Sequence, residues 1–499
     1  MSLPLWQSVP MACILLPLGS AALTAVLPSR WSRRWCLTVL AALTGLSVWL
    51  LASLIPLHGS FTYPMGHYPA PWGNELRASE MEAAVGLTFA LVMLLSLSGG
   101  LSWLDVHIPL EKQKLYFSLM LLLCASLQAQ VYTNDLFTAY VFVEIMTLSA
   151  AALIAVRDSG KALLAAARYM MMNLIGSALF LLGVILLYDL TGHLLMEPIR
   201  ESVQEIAASQ AYQLPMTVVI AVMATGLALK SALLPFHTWV PDAYSTSTVS
   251  SAAILSGLVS KGYIFLLIKV FSRVIGLEFI AQTGVGDVLF FFGLAGMILG
   301  SLAALRQKDA RLLLAWSSVA QIGYIFVGLG LGTLSGFTAA VCHLLTHAAA
   351  KSLLFVSLGG LSAVSDGASA IASLSGSGRR SPLAGVGFTV GALSVVGLPF
   401  LGGFASKFAL AQAAFASGGA AGWAVLACLV LSTLLNVAYF FRLLMLIWRI
   451  SPDSAAQETV PRHPFVHIAV LLLAAVNLFM GRFASPLLSL IQTGLGLID

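Results

Sequence analysis

Apolar runs long enough to cross a lipid bilayer recur along the whole chain, and this recurrence constrains the fold more than any other feature. A spanning helix needs about 20 mainly apolar residues. The qualifying runs are 4–27, 35–56, 83–104, 115–133, 136–156, 163–188, 216–234, 248–272, 286–305, 312–332, 336–361, 382–398 with a continuation to 417, 422–447 and 465–490. The longest hydrophilic connections, 57–82 and 189–214, are too short for a soluble domain. We therefore predict an all-α polytopic membrane protein with about 14 transmembrane helices.

The distribution of basic residues predicts how the spans are threaded. No Lys or Arg precedes the first apolar run, whereas Arg30, Arg33 and Arg34 follow it, which is the reverse of a secretory signal. If the first span starts outside, fifteen basic residues lie in cytoplasmic connections and five, including Lys269 and Arg273, in outer ones. Both termini are then expected on the outer side. The net charge of +5 follows from this bias, so it does not indicate a nucleic-acid partner.

The low content of charged residues excludes a soluble protein, and the spacing of the cysteines does not fit a disulfide or metal-binding protein. Only 9% of the residues are charged, against about 25% in soluble domains. The five cysteines all lie in apolar segments and form no CxxC pair. We therefore expect buried free thiols, with no disulfide, no metal site and no bound cofactor.

Ionisable residues inside the predicted spans need a separate explanation. They are Glu144, Arg168, Lys230, Lys261, His343, His347, Lys351 and Lys407. A charge at the bilayer centre costs at least about 2.5–3.5 kcal/mol, so each must face a protein-lined or wet interior or stay neutral. In "CHLLTHAAAKSLLF", His343, His347 and Lys351 are spaced at i, i+4 and i+8 and so share one helix face.

Taken singly, these residues have structural interpretations. Arg168 lies near a helix end and could extend its side chain to the cytoplasmic interface, and Lys351 could do the same. One histidine could be a hydrogen-bonded core residue, and Glu144 with Lys230 could be a purely structural ion pair. As a set, however, they are typical of a path for protons.

Two spans carry helix-breaking residues. In the first of these spans Lys230 precedes Pro235, which lies in the tripeptide "LPF" at 234–236, and His237 and Pro241 follow. In the second span another "LPF", at 398–400, precedes Lys407. Broken helices at membrane depth are tolerated only where the backbone faces protein or water, and paired breaks mark ion paths in transporters. The placement predicts two inverted five-helix repeats: residues 1–109 hold helices 1–3, 110–273 hold helices 4–8, 274–450 hold helices 9–13, and 451–499 hold helix 14.

Several motifs resemble the antiporter-like membrane subunits shared by Mrp sodium/proton antiporters, membrane-bound hydrogenases and respiratory complex I. They are "NDLFTAYVFVEI", "LKSALLPFHTWVPDAYSTSTVSSAAILSGLVSKGYIFLLIK", "QKDARLLLAWSSVAQIGYI", "CHLLTHAAAKSLLF" and "GLPFLGGFASKFAL". The resemblance covers about residues 110–450. One departure is "KSALLPF", where a second proline often follows the lysine in the family.

The resemblance implies a set of site residues. Glu144 would pair with Lys230, Lys261 would relay a proton across the middle, and His343 or His347 and then Lys407 would continue the path. His237, Lys351 and Arg168 would support it. A buried lysine is easier to deprotonate, and a nearby carboxylate stabilises its protonated form, so moving Glu144 would switch Lys230 between holding and releasing a proton. Histidine suits a relay near neutral pH.

The resemblance also implies the setting: a prokaryotic cytoplasmic membrane, other membrane subunits as partners, and protons as the transported ion, with sodium left open. The chain ends soon after the last predicted helix, without the long lateral helix of the largest complex I member, which favours the shorter type, such as the Mrp D subunit or its counterpart in membrane-bound hydrogenases. No redox centre is expected in this chain. Three alternatives stay open. They are a proton-pumping subunit of a membrane-bound hydrogenase or complex I-like NADH:quinone oxidoreductase, a stand-alone secondary transporter, and a proton-coupled partner in inorganic-carbon uptake. A haem enzyme is disfavoured, because two histidines on one helix face cannot supply opposite axial ligands.

Overall fold

A computed structural model describes residues 4–68, 73–209, 212–450 and 464–496. In these ranges the α-helices, in chain order, are α1 Val9–Val26, α2 Ser29–Leu54, α3 Glu80–Gly99, α4 Leu101–His107, α5 Leu110–Tyr132, α6 Leu136–Ala155, α7 Gly160–Thr191, α8 Met196–Ser209, α9 Gln213–Lys230, α10 Trp239–Thr246, α11 Val249–Ile254, α12 Ser260–Lys269, α13 Leu277–Thr283, α14 Val285–Leu305, α15 Ala310–Gly330, α16 Leu334–Ala363, α17 Ser377–Arg380, α18 Pro382–Val396, α19 Gly402–Ser417, α20 Gly419–Ile447, α21 Pro464–Arg482 and α22 Ala484–Gly496.

Shorter elements complete the described chain. Strand β1 (Phe61–Pro64) pairs antiparallel with β2 (Glu75–Ala78) in the connection between α2 and α3. The 3₁₀ helices are Leu5–Ser8, Met65–His67, Phe236–Thr238 and Ile371–Leu374, and the π-helical turns are Leu255–Val259 and Val270–Ile275.

The described residues contain 13 helical segments that are long and apolar enough to cross a membrane. They correspond to the predicted runs except at the twelfth, where two shorter helices, α18 and α19, share the apolar stretch. The prediction of an all-α polytopic membrane protein is therefore confirmed. The inverted repeats stay a prediction.

The helices differ in how far their neighbours enclose them. In the eighth span (Val249–Ile275) and in the central part of α16 the residues are buried within the bundle, whereas most residues of α2, α20 and α21 are not buried. Apolar side chains dominate these outer surfaces, as lipid contact requires. Lys261, His343, His347 and Lys351 all lie on the two innermost helices, so the bundle removes them from lipid.

Both predicted helix breaks are present, and each contains a non-glycine residue with left-handed backbone. Helix α9 ends at Lys230, and Ala232 follows with φ 65°; between α18 and α19, Phe400 has φ 71°. Such a conformation costs of order 1 kcal/mol or more and persists only where the surroundings enforce it. Gly403 permits the second break, because an added Cβ would collide with the carbonyl group of Ser394 on α18.

Candidate functional site

Three buried lysines mark the polar interior of the bundle. We call the surroundings of Lys230 its first end, those of Lys261 its centre and those of Lys407 its second end. Lys230 is the last residue of α9, Lys261 lies in α12, and Lys407 lies in α19; their relative exposures are 0%, 0% and 5%. Lys230 and Lys407 each lie beside one of the two helix breaks. Interrupted backbone supplies carbonyl groups that no helical amide uses, and these can accept hydrogen bonds from a buried ammonium.

Lys230 has a carboxylate, a hydroxyl and an aromatic ring around its amine. Its Nζ lies 3.8 Å from Glu144 Oε1 on α6 and donates to Thr147 Oγ1 at 2.8 Å. The ring of Tyr263 lies beneath it, with the centroid 5.1 Å away. The predicted Glu144–Lys230 pair is therefore formed, but at a separation longer than a hydrogen bond.

Tight helix packing buries this end. Gly176 on α7 faces Gly226 on α9, and an added Cβ on Gly176 would lie 2.8 Å from the Gly226 carbonyl oxygen and 2.9 Å from Cγ of Lys230. Small residues let the two backbones approach closely, as is usual between helices in membranes. Glu144 lies toward the outside of the bundle, with 23% of its side chain exposed, and its Oε1 accepts no hydrogen bond within the described chain.

Lys261 is the second residue of α12, which directly follows the π-helical turn Leu255–Val259. Its Nζ donates to the carbonyl oxygen of Ser256 and to Ser260 Oγ at 3.2 Å. π-helical turns inside α-helices often mark functional sites, because they shift side chains and expose carbonyl groups. Among the described residues Lys261 has no ion-pair partner, so only neutral oxygens surround its amine.

The two predicted histidines are stacked with a tyrosine. The ring centroids of Tyr324 and His343 lie 5.2 Å apart, and those of His343 and His347 lie 5.9 Å apart with the planes 6° from parallel. His343 Nδ1 is hydrogen-bonded to Ser406 Oγ at 2.9 Å. His343 Nε2 and both ring nitrogens of His347 are buried without a partner in the parts of the chain that the structure describes.

A small cavity lies against the histidines. Gln321, His343, Thr346 and His347 contribute to its lining, and the space open to the centre of a water molecule is about 10 Å³. A cavity of this size with several polar partners holds about one water. Gln321 Nε2 is also buried and unpartnered among the described residues. The cavity can therefore join the histidines through one water molecule.

Lys407 is held by neutral groups only. Its Nζ donates to the carbonyl oxygen of Val396, the last residue of α18, at 3.1 Å and to Thr433 Oγ1 at 3.5 Å. It also lies over the ring of Tyr324, 4.8 Å from the centroid. The negative end of the α18 dipole and the face of the ring both favour a charged amine. Within the described ranges no carboxylate pairs with it.

The three predicted supporting residues have different environments. Lys351 is completely buried and donates to the Leu314 carbonyl oxygen at 2.9 Å and to Ser317 Oγ. His237 lies in the break after α9, with its ring 5.1 Å from that of Trp316. Arg168 forms an ion pair with Asp242, and half of its side chain is exposed. Of the three, only Lys351 lies fully within the polar interior.

A second cluster of buried charges lies where the sequence predicts an outer connection. Lys269 and Arg273 instead lie inside the bundle, where Arg273 pairs with the buried Glu82 and Lys269 Nζ donates to the carbonyl oxygens of Gln130, Val131 and Thr133. The eighth span continues in helical form to Ile275, beyond the predicted end at 272. The i, i+4 spacing of Lys269 and Arg273, which places both residues on one face of a helix, was the sequence feature that could have indicated this cluster.

Comparison with known proteins gives the family. Residues 133–436 match the family described as NADH:quinone oxidoreductase/Mrp antiporter, TM. The chain belongs to this family. The matched segment contains every predicted site residue, from Glu144 to Lys407.

Relatives of the family match almost the full length. The chain is 32% identical over 464 residues to NADH-quinone oxidoreductase subunit N of Desulforudis audaxviator, covering 91% of this chain and 89% of that one. A chain in the structure of the membrane-bound sulfane sulfur reductase, an archaeal respiratory membrane complex, has a TM-score of 0.87 and 28% identity, with 98% of each chain covered. A chain of the Mrp complex from Dietzia sp. has a TM-score of 0.85 and 25% identity, covering 99% and 97%.

Proposed function

We propose that this protein is a proton-translocating membrane subunit of a multisubunit complex. Protons pass along Glu144, Lys230, Lys261, His343 or His347, and Lys407, and Lys351, His237 and Arg168 support the path. The observation that carries the proposal is the row of three enclosed lysines, of which only one has a carboxylate partner among the described residues.

The environments of the lysines fit groups that gain and lose a proton. An isolated ammonium is expensive to bury, so an enclosed lysine without a carboxylate exchanges its proton more readily than an exposed one. A hydroxyl oxygen at Lys230 and carbonyl oxygens at Lys261 and Lys407 accept hydrogen bonds from the amine. A purely structural role would favour apolar residues or tightly hydrogen-bonded ion pairs at these positions.

Partners and location follow from the relatives and from the surface of α6. The relatives belong to an NADH-quinone oxidoreductase, a respiratory membrane complex and an Mrp complex, which supports other membrane subunits as partners. Glu144 is partly exposed on the side of the bundle, which supports contact with a neighbouring subunit there. The setting we propose is a prokaryotic cytoplasmic membrane, with both termini outside and the inverted repeats 110–273 and 274–450 surrounding the path.

The decisive experiment uses the assembled complex in liposomes with a pH-sensitive dye inside. Lys261→Ala should reduce proton movement at least tenfold, because it removes the relay between Lys230 and the histidines. Lys308→Ala, which removes an exposed positive charge, is the matched control and should transport normally. Normal transport by an assembled Lys261→Ala complex would refute the path.

The same liposomes distinguish the transported ions and the energy source. An antiporter exchanges protons for sodium without an electron donor, whereas a subunit of an oxidoreductase complex moves protons only while electrons flow. Proton uptake that follows an imposed sodium gradient would identify the first case. Uptake that requires the complex's electron donor would identify the second.

Thiol labelling in intact cells tests the orientation. In a Cys428→Ser background the remaining native cysteines are buried. A thiol at exposed Ala372, in the connection that also contains Arg380, should be protected from an impermeant reagent, and one at exposed Thr62 should react. The reverse pattern would invert the topology.

A further inference from the structure

A polar stripe on the lipid-facing helix α20 has no place in the path described so far. Ser432, Asn436 and Tyr439 are completely buried, although most of this helix faces outward. Their spacing of four and three residues places them on one face. Ser301 on α14 joins them, sharing a hydrogen bond of 2.9 Å with Ser432 Oγ and donating to Asn436 Oδ1 at 3.4 Å.

One end of the stripe reaches Lys351. Tyr439 donates to Asn436 Oδ1 at 2.8 Å, and its hydroxyl lies close to Ser317 on α15. Ser317 Oγ accepts a hydrogen bond from Lys351 Nζ. Lys351 in turn shares the Leu314 carbonyl oxygen with Ser318, whose hydroxyl is 3.0 Å from Ser256 Oγ. Ser256 is also the residue whose carbonyl oxygen accepts a hydrogen bond from Lys261, so these shared groups place Lys351 near the centre.

The other end of the stripe reaches Lys407. The hydroxyl of Tyr324 lies among Ser432, Thr433 and Asn436, while its ring lies under the amine of Lys407. Thr433, adjacent to Ser432, accepts a hydrogen bond from the same amine. The Tyr324 hydroxyl and Asn436 Nδ2 are buried, and neither has a hydrogen-bond partner in the described chain. Two such groups side by side are suited to bind water.

We propose that this stripe is a second branch of the proton path, joining Lys351 to Lys407 in parallel with the histidines. The proposal rests on the proposed function, since it assigns a route within the same transport. It makes Lys351 a member of the path and adds Ser317, Tyr439, Asn436, Ser432 and Tyr324. Protons from Lys261 then reach Lys407 either past His347 and His343 or along α20.

The proton balance of the branch is simple. The ammonium of Lys351 gives one proton and becomes a neutral amine, and the neutral amine of Lys407 gains one and becomes an ammonium. Each hydroxyl or water between them accepts a proton on its oxygen as it releases its own to the next group, and the ammonium of Lys261 then returns a proton to Lys351. Asn436 has no hydroxyl, so its amide orients water in the branch and is a positioning residue.

Parallel branches predict a specific pattern of transport rates in the reconstituted complex. We expect His343→Ala combined with His347→Ala to retain a measurable fraction, between about a tenth and a half of the wild-type rate. Tyr439→Phe and Asn436→Leu should each reduce the rate by at most about half, which is the share that the branch carries. All of these together with the histidine changes should leave only the background rate, because both routes are then closed.

The matched control is Asn477→Leu on α21. Asn477 is also completely buried on an outward-facing helix, but it donates only to the carbonyl of Leu473 on its own helix. Its replacement should leave transport unchanged at equal complex yield. A ratio of rates in H₂O and D₂O that changes in Tyr439→Phe, but not in Asn477→Leu, would separate proton transfer from a packing effect.

Three outcomes would overturn the second branch. These are background transport in the double histidine variant alone, equal effects of Asn436→Leu and Asn477→Leu, and a D₂O ratio that is the same in all variants. Lys261→Ala, measured in parallel, lies before both branches. If it also transports normally, the proposed function itself fails; if it is inactive, only the branch is lost.

Discussion

The two ends of the polar interior are built from similar parts and differ in one charge. Lys230 and Lys407 each lie beside a helix break, over a tyrosine ring, with a threonine hydroxyl within reach of the amine. At the first end Glu144 adds a carboxylate 3.8 Å from the amine. At the second end the carbonyl group of Val396 takes its place.

This difference teaches how each end can hold a proton. A carboxylate stabilises a neighbouring ammonium far more than a neutral carbonyl group does, but its effect changes when the carboxylate moves or is neutralised. The proton affinity of Lys230 can therefore be changed by a neighbouring subunit that contacts the partly exposed Glu144. The fixed groups around Lys407 give it a constant affinity, which suits a site that passes protons onward.

Removing the carboxylate should have the largest effect on this comparison. Glu144→Gln removes the group that stabilises charged Lys230, and transport should fall at least tenfold, since 1.4 kcal/mol corresponds to a factor of ten. Lys230→Ala should be as severe, and the double variant should be little worse, because both changes remove one coupled element. The measurement is proton movement and complex yield for the three variants.

The alternative role of the pair has a different signature. If Glu144 and Lys230 only hold helices together, each single change leaves one charge unpaired and lowers the yield of assembled complex. The double variant would then recover both yield and transport. Glu144→Asp serves as a control that keeps the charge and should be impaired but active.

Giving the second end a carboxylate should make the two ends alike. Thr433→Asp would place a negative charge near Lys407, stabilise its protonated form and slow proton release. Each 1.4 kcal/mol of added stabilisation slows release about tenfold, so we expect turnover about three- to tenfold lower. Thr433→Asn, of the same size but neutral, should be milder. Unchanged turnover in Thr433→Asp at normal yield would contradict a constant-affinity role for this end.

Replacing the tyrosine at each end should change the transport rate by different but smaller factors. A cation–π contact contributes about 0.5–2 kcal/mol. Tyr324→Leu should therefore slow transport several-fold, whereas Tyr263→Leu should have less effect because Glu144 still stabilises Lys230. The Phe variants keep the ring, so Tyr263→Phe should stay near the wild-type rate. Equal losses in the two Leu variants would indicate that the carboxylate adds nothing to the first end.

The smallest effect is expected at the Arg168–Asp242 pair, whose side chains are 52% and 39% exposed. Exposed ion pairs contribute about 0–1 kcal/mol. Arg168→Lys should keep transport within about twofold of the wild type. A loss as large as that of Glu144→Gln would show that Arg168 belongs to the path.

Much of the site was accessible from the sequence because ionisable residues are rare in spans. Glu144, Lys230, Lys261 and Lys407 were found in this way, and the structure places Glu144 beside Lys230 as expected. Gln321, Tyr263 and Tyr324 were missed, because a neutral or aromatic residue in a span has no unusual cost that would mark it. Lys269 lies within the predicted run 248–272 but was counted with the outer connection because it is close to the end of that run, and Arg273 lies just beyond it.

The sequence by itself determined the all-α membrane fold, since a chain in lipid must satisfy its backbone within helices and each apolar run is long enough to cross. It also located the two breaks, because proline and glycine act locally. Only the tertiary structure decided which side chains meet. The contacts of Lys407 with Tyr324 and of Lys351 with Ser317 depend on helix rotation and packing, which are set by many small interactions between residues distant in the chain.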